Sequence, residues 1–351
     1  LRVVGEIENM TSRERVEAAL RFEHPDRVPR DLWALPGSQV NQKAEIAALR
    51  KKYPMDIGKP QTSPGTNQGV LEEPIAVGRY VDDWGSLWER AEPGVIGEVK
   101  LPALDQWSNL AVYQPPWELV HNRSFDAVNR DCDKSNQFMM SAVTARPFER
   151  MQFLRGSEAL FIDIAEDSAA FRSLLAMVHE FYCEDVRGWC GTQVDGIFLM
   201  DDWASQHSLL IAPQTWRAVF KPLYQEYCAL IHAAGKKVFF HSDGFTEPII
   251  GDLIEVGVDA LNAQIFTMDI ESLAKKYKGK ITFWGEIDRQ HILPFGTSED
   301  VAEAVKRVRR ALDEGTAGVI AQCEWGIHNS MANIETVFHT WMEPMNEKHA
   351  L

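Results

Sequence analysis

The sequence predicts an α/β protein, a closed (β/α)8 TIM barrel. Three observations carry that prediction. From residue 197 onward, short apolar runs alternate with amphipathic helical stretches across short connections. That alternation implies a parallel sheet with right-handed crossovers. Five such units follow one another and two or three strand-like runs precede them, which suits a closed barrel better than an open sheet. The length of 351 residues is usual for a barrel with additions.

The elements follow in order. Thr11 and Glu14 form a capping box ahead of an apolar stripe of Val16, Ala19 and Leu20, with Pro25 beyond its end. This is an N-terminal helical extension. Residues 28–33 read as the first strand and 39–52 as a helix. Residues 53–116 are rich in Pro, Gly and Trp, with strand-like pieces at 78–84, 87–90 and 95–100. They predict an antiparallel β-meander inserted near the barrel mouth, because a structureless insertion that long is rare in a compact domain. Residues 138–143 read as a strand, 147–164 as two short helices and 168–190 as one long helix. Strands are then expected at 197–200, 238–240, 260–262, 282–284 and 318–322. Helices are expected at 213–234, 247–256, 270–277, 299–314 and 334–347. Pro213 sits in a first helical turn, where its missing N–H costs nothing. Thr297 and Asp300 cap the helix at 299. No short repeat or low-complexity linker divides the chain, so a single domain over 1–351 is expected.

Composition narrows the partners. A net charge of −15 and a pI near 5.2 argue against nucleic acid and anionic membrane, whose phosphates would repel the chain. No apolar run approaches 18 residues, and the opening ten residues are polar and acidic without a signal-peptide core. Five scattered cysteines without a CxxC pair predict a reducing, cytoplasmic setting. Cys183, Cys190 and Cys228 fall in helical patterns as small core residues, and Cys132 in a polar loop. The exposed helices of an acidic barrel allow a homodimer.

The chemistry gathers just past the strands. Lys236 and Lys237 lead into Val238, Phe239 and Phe240, then His241 and Asp243. Asp201, Asp202 and Gln206 follow the strand at 197–200; Asn262 and Gln264, Glu286 and Asp288, and Cys323 and Glu324 follow the next three. In a barrel these positions converge on one end of the axis, so a shared active site for a small molecule is expected. The alternative is that they are loop ends and caps; Asp201 and Asp202 in particular could cap the following helix. Trp203, Trp284 and Trp325 are either stacking surfaces for a flat ligand or core. Zinc takes nitrogen, thiolate and carboxylate ligands, and His241, Cys323 and either Glu286 or Asp243 would supply three. The alternative is a buried thiol beside a hydrogen-bonded histidine.

Several stretches resemble the uroporphyrinogen decarboxylase-like superfamily. They are Phe239-Phe240-His241-Ser242-Asp243-Gly244 with the segment 248–262 behind it, the segment 283–297 opening on Phe283-Trp284-Gly285-Glu286, Asp201-Asp202-Trp203 ahead of the Pro213 helix, and the opening segments 11–16 and 24–29. The resemblance implies a (β/α)8 barrel and one of two chemistries. Uroporphyrinogen decarboxylases act without a cofactor and carry an arginine-rich N-terminal motif ending in Gly-Arg-Tyr. Here Gly78-Arg79-Tyr80 stands inside the meander, without the residues that should precede it, and acidic strand ends oppose a substrate with eight carboxylates. A basic pocket around Arg30, Arg146 or Arg289 would favour that branch. The other branch moves a methyl group between a corrinoid on a partner protein and coenzyme M or tetrahydrofolate. Its coenzyme M type binds zinc through His-x-Cys and a distant Cys. His241 and Cys323 match, and Asp243 stands where the middle Cys should be. The resemblance therefore implies a corrinoid-dependent methyltransferase with tetrahydrofolate or a thiol as acceptor. His241, Asp243, Glu286 and Asp202 would be catalytic, and Asp201, Trp203, Gln206, Asn262, Gln264 and Asp288 would bind the ligand. A decarboxylase is the alternative, and a non-enzymatic scaffold the third reading.

Overall fold

A computed structural model describes residues 10–62, 77–95, 97–314 and 316–343. The opening stretch before Met10 and the expected helical residues beyond 343 lie outside the described residues. The strands are β1 (Arg30–Ala34), β2 (Ile57–Gly58), β3 (Gly78–Val81), β4 (Leu87–Arg90), β5 (Glu98–Leu101), β6 (Phe138–Val143), β7 (Gly196–Met200), β8 (Lys237–Ser242), β9 (Ala260–Ala263), β10 (Thr282–Trp284) and β11 (Val319–Trp325). Hydrogen bonding orders eight of them β1-β11-β10-β9-β8-β7-β6-β2, and β3, β4 and β5 form a separate antiparallel sheet. That order, with helices between consecutive strands, is a (β/α)8 barrel. β8, β9, β10 and β11 are buried along nearly their whole length. Strands covered on both faces read as unbroken apolar runs, which is why the sequence shows them so clearly.

The chain packs as two compact units. The first comprises Leu1–Ile57, Asn136–Phe138 and Asn262–Leu351. In it β1 runs parallel to β11, with Leu32 opposite Cys323. The helix Ser12–Leu20 carries the expected capping box. Asp56 joins the chain segments: its N–H donates to the Arg30 carbonyl and its own carbonyl accepts from Phe138 N–H, both at 2.9 Å. Its fully buried carboxylate accepts from Arg15 at 2.7 Å and Arg27 at 2.6 Å. A charge removed from water is tolerated only when paired in this way.

The second unit comprises Gly58–Ser135 and Met139–Leu261. β6, β7 and β8 run parallel, and β3–β4–β5 is the expected meander. Asp82 holds the meander turn, accepting from Ser86 N–H at 2.8 Å, Trp88 Nε1 at 3.0 Å and Arg150 at 3.2 Å. Phe148, Trp203, Trp216, Phe220 and Tyr224 form a fully buried aromatic core. Each large apolar side chain so buried contributes about 2–3 kcal/mol.

Six expectations need correction. The stretch 53–116 is not all insertion, because it opens with the barrel strand β2. The helix read over 213–234 breaks at Phe220 into Pro213–Val219 and Lys221–Ala233. Pro222 causes the break, since it has no N–H for a carbonyl one turn back. Residues 39–52 likewise belong to two helices, Pro36–Asn41 and Lys43–Lys52, and 299–314 to Ser298–Val308 followed by a π turn at Arg309–Asp313. Cys132 is buried in the helix Asp126–Lys134, on its apolar face with Val128. Finally, β8 and β11 extend to Ser242 and Trp325, so His241, Cys323 and Glu324 lie on strands rather than beyond them. Among the described residues, no helix is long and apolar enough to cross a membrane.

Candidate active site

The second unit brings Asp202, His241 and Asp243 together. Met200 stands opposite His241 in the β7–β8 ladder, and Asp201 N–H extends the ladder to the His241 carbonyl at 3.0 Å. Asp202 and Asp243 therefore leave adjacent strands side by side. Asp243 N–H donates to Asp202 Oδ1 at 2.9 Å. His241 Nε2 lies 3.3 Å from Asp243 Oδ1 and 3.6 Å from Asp202 Oδ1. His241 is buried, while the Asp202 and Asp243 side chains keep 38% and 30% of their area exposed. A ligand can therefore reach the carboxylates. Gly244 shapes the loop at φ +81°, where a Cβ would sit 2.4 Å from the carbonyl oxygens of Ala204 and Ser205. Only glycine allows that approach.

The electrostatics separate two neighbouring aspartates. Burial, reinforced by Glu149 and Asp243 against the opposing pull of His241, raises Asp202 to about 6. A carboxyl group at that value exchanges protons near neutrality. Asp201 is fully buried, and burial with Glu149 pushes it well above the usual carboxylate range. Its oxygens accept from Phe148 N–H and Glu149 N–H at 2.8 Å each and from Tyr224 Oη–H at 2.6 Å. That is the geometry of a cap, on the helix Pro147–Arg155 earlier in the chain rather than on a following one. Trp203 is fully buried, stacked on Phe148 at 4.2 Å, with Nε1 donating to Tyr224 Oη at 3.1 Å. Gln206 is half-buried on the loop that follows.

The first unit holds the other candidates in a braced polar network. Asn262 Nδ2 donates to the Trp284 carbonyl and to Gln322 Oε1. Trp284 Nε1 and Trp33 Nε1 both donate to Asp31 Oδ2, at 3.0 and 2.9 Å. Glu286 is buried and lies 3.3 Å from Arg289, which also pairs with Glu324 at 2.8 Å. Asp288 caps its own loop, accepting from Gln290 N–H and His291 N–H at 2.9 Å. Gln264 is buried, its carbonyl accepting from Thr267. Cys323 is fully buried; burial, then Asp31, Glu286 and Glu324, push its thiol far up. The zinc set expected from the sequence thus draws His241 from one unit and Cys323 and Glu286 from the other. The group the structure assembles around His241 is Asp202 and Asp243.

Sequence reasoning missed Glu149 and Tyr224, which tune and hold the aspartates from two helices. It also missed a second cluster, His179, Cys183 and Glu226. His-x3-Cys on one helix face was the legible signal there.

Residues 93–342 match the uroporphyrinogen decarboxylase family, well over half of the chain. The chain belongs to that family. A methyltransferase from Methanosarcina mazei shares the fold with a TM-score of 0.71 at 13% identity, over 95% of this chain and 98% of that one. A glycosylated endo-β-1,4-xylanase from Gloeophyllum trabeum aligns at 0.47 and 9% identity, over 94% and 100% of the two chains. That weaker likeness adds nothing to the assignment. No curated protein is significantly similar in sequence. Family membership and the first likeness agree with the barrel described above.

Proposed function

We propose that this family member is a methyltransferase, moving a methyl group between a corrinoid on a partner protein and tetrahydrofolate or a thiol such as coenzyme M. The observation that supports the reading is the Asp202–His241–Asp243 cluster. A methyl group that joins a pterin nitrogen displaces that nitrogen's proton, and the reverse transfer needs the proton back. Asp202, poised near 6 and open to a ligand, suits both directions. His241 and Asp243 orient it. The cluster also fits a zinc-class ion: one imidazole and two carboxylates place their ligand atoms within 4.8 Å of one another. Asp202, His241 and Asp243 would hold the ion. Such an ion supplies Lewis acidity, or a thiolate acceptor at neutral pH. The methyltransferase name of the Methanosarcina neighbour accords with this reading.

Decarboxylation is the second reading, favoured by the family itself. Two of the three arginines expected to form its basic pocket are spent on carboxylates, Arg146 on Glu149 at 2.7 Å and Arg289 on Glu286 and Glu324. Arg30 opens β1 at the end of the strand away from the polar loops.

The test combines the purified chain, a corrinoid protein carrying methylcobamide, and tetrahydrofolate or coenzyme M, and follows the cobamide spectrum. Demethylation that depends on the acceptor is expected. No transfer to either acceptor overturns the reading, and carbon dioxide release from a porphyrinogen replaces it with the second. Elemental analysis of wild type, His241→Ala and Cys323→Ser shows whether a metal is present and whether the thiol is among its ligands.

A further inference from the structure

The cluster His179, Cys183 and Glu226 lies in the second unit, on the helices Ala169–Cys190 and Lys221–Ala233, and the reading above makes no use of it. His179 and Cys183 are four residues apart, so both project from one face of their helix. Glu226 reaches them from the helix packed alongside. His179 Nε2 is 3.0 Å from Glu226 Oε2 and 3.7 Å from Cys183 Sγ, and Cys183 Sγ is 3.6 Å from Glu226 Oε1. Zinc bond lengths of about 2.0–2.3 Å at tetrahedral angles set ligand atoms about 3.3–3.6 Å apart. The nitrogen–sulfur separation is close to that, and the two Glu226 contacts use different oxygens of its carboxylate, one of which lies within 4.8 Å of both other ligand atoms. The remaining imidazole nitrogen, Nδ1, is held by Tyr227 Oη at 2.8 Å. An orienting partner on the second ring nitrogen is what metal-bound histidines have. Cys183 is buried, His179 half-buried and Glu226 about half exposed, which leaves an open side for a fourth ligand from water.

We propose that His179, Cys183 and Glu226 bind a zinc-class divalent ion as a clasp between these two helices, separate from the strand-end cluster. Without the ion the three groups hydrogen-bond to one another. The ion replaces those bonds with three ligand bonds, and the Cys183 proton leaves to solvent as the thiolate binds. Arg187, 3.8 Å from Glu226 Oε1, loses part of its partner in the exchange.

Cobalt(II) distinguishes this site from the strand-end cluster, because thiolate bound to cobalt gives an intense near-ultraviolet charge-transfer band and carboxylate or imidazole does not. The full chain, stripped with chelator and titrated with cobalt(II) and then zinc(II), is expected to show that band and lose it as zinc displaces cobalt. Cys183→Ser and His179→Ala abolish it. Glu226→Gln, at a half-exposed position that the fold tolerates, weakens cobalt binding at least about tenfold. Asp202→Asn and Cys323→Ser leave it unchanged. No charge-transfer band in the wild type overturns the proposal, as does a band that survives Cys183→Ser or disappears in Cys323→Ser. Failure of methyl transfer does not bear on this outcome, since no step reads activity.

Discussion

The strand ends of the two units carry similar residues and treat them differently. In the second unit Asp202 and Asp243 stand half-exposed beside a buried histidine, in mutual repulsion that His241 only partly relieves. In the first unit Asp31 accepts from two tryptophan side chains, Asn262 is held to Trp284 and Gln322, and Arg289 pairs with Glu286 and Glu324, nearly all of them buried. Polarity at a strand end is thus no measure of function. A functional carboxylate keeps reach and an unsettled proton, whereas a structural one has given its oxygens to donors that never leave.

The largest expected effect tests that contrast directly. Asp202→Asn should lower methyl-transfer turnover by about 10²–10⁴-fold, the range for losing a general acid or base, while the protein stays folded. Retained turnover would return Asp202 to the structural class. Asp201→Asn, one residue earlier, should instead act on stability. It places an amide NH2 donor against backbone N–H donors in a dry site, for a loss of about 2 kcal/mol in denaturant unfolding. Glu324→Gln should cost about 1 kcal/mol by weakening the Arg289 pair, with turnover within about twofold of wild type. A large turnover loss there would show the braced network to be catalytic as well.

The smallest effect concerns pH. The folded state holds the Asp202 proton up to about 6, against an ordinary carboxylate value of 3.8. Between those values the folded state binds more protons than the unfolded chain, so this group's contribution to stability falls as pH rises through the window. Asp202→Asn removes that loss, and Asn Oδ1 can still accept from Asp243 N–H. The variant should melt about 2 °C higher than wild type at pH 7.5, with the difference gone at pH 4. The partial exposure of Asp202 keeps the effect small. A melting point unchanged at pH 7.5 would place the carboxylate in ordinary solvent.

Much of the architecture was legible because buried parallel strands and capped helices write themselves locally. The 138–143, 247–256, 270–277 and 282–284 elements have the expected bounds, and both capping boxes, Thr11 with Glu14 and Thr297 with Asp300, are present. The errors fall where local pattern gives no signal. The two residues of β2 are too short to show a period, and the apolar stripe over 213–234 continues unchanged across the break at Phe220. Cys132 looked like loop because its neighbours are polar, yet a helix turns that one side chain inward.

The sequence by itself determined the barrel, the family resemblance and which polar groups stand at the strand ends, because residue order along a strand decides which groups emerge at its end. Tertiary structure decided which of those groups remain available. Asp201 and Asp202 are the same residue type in adjacent positions. One is folded onto the start of the helix Pro147–Arg155 and the other onto His241 and Asp243. Those partners come from positions some forty to fifty residues away in the chain. A proton's affinity depends on the burial and charge that such distant segments bring, so the packing of the chain sets it.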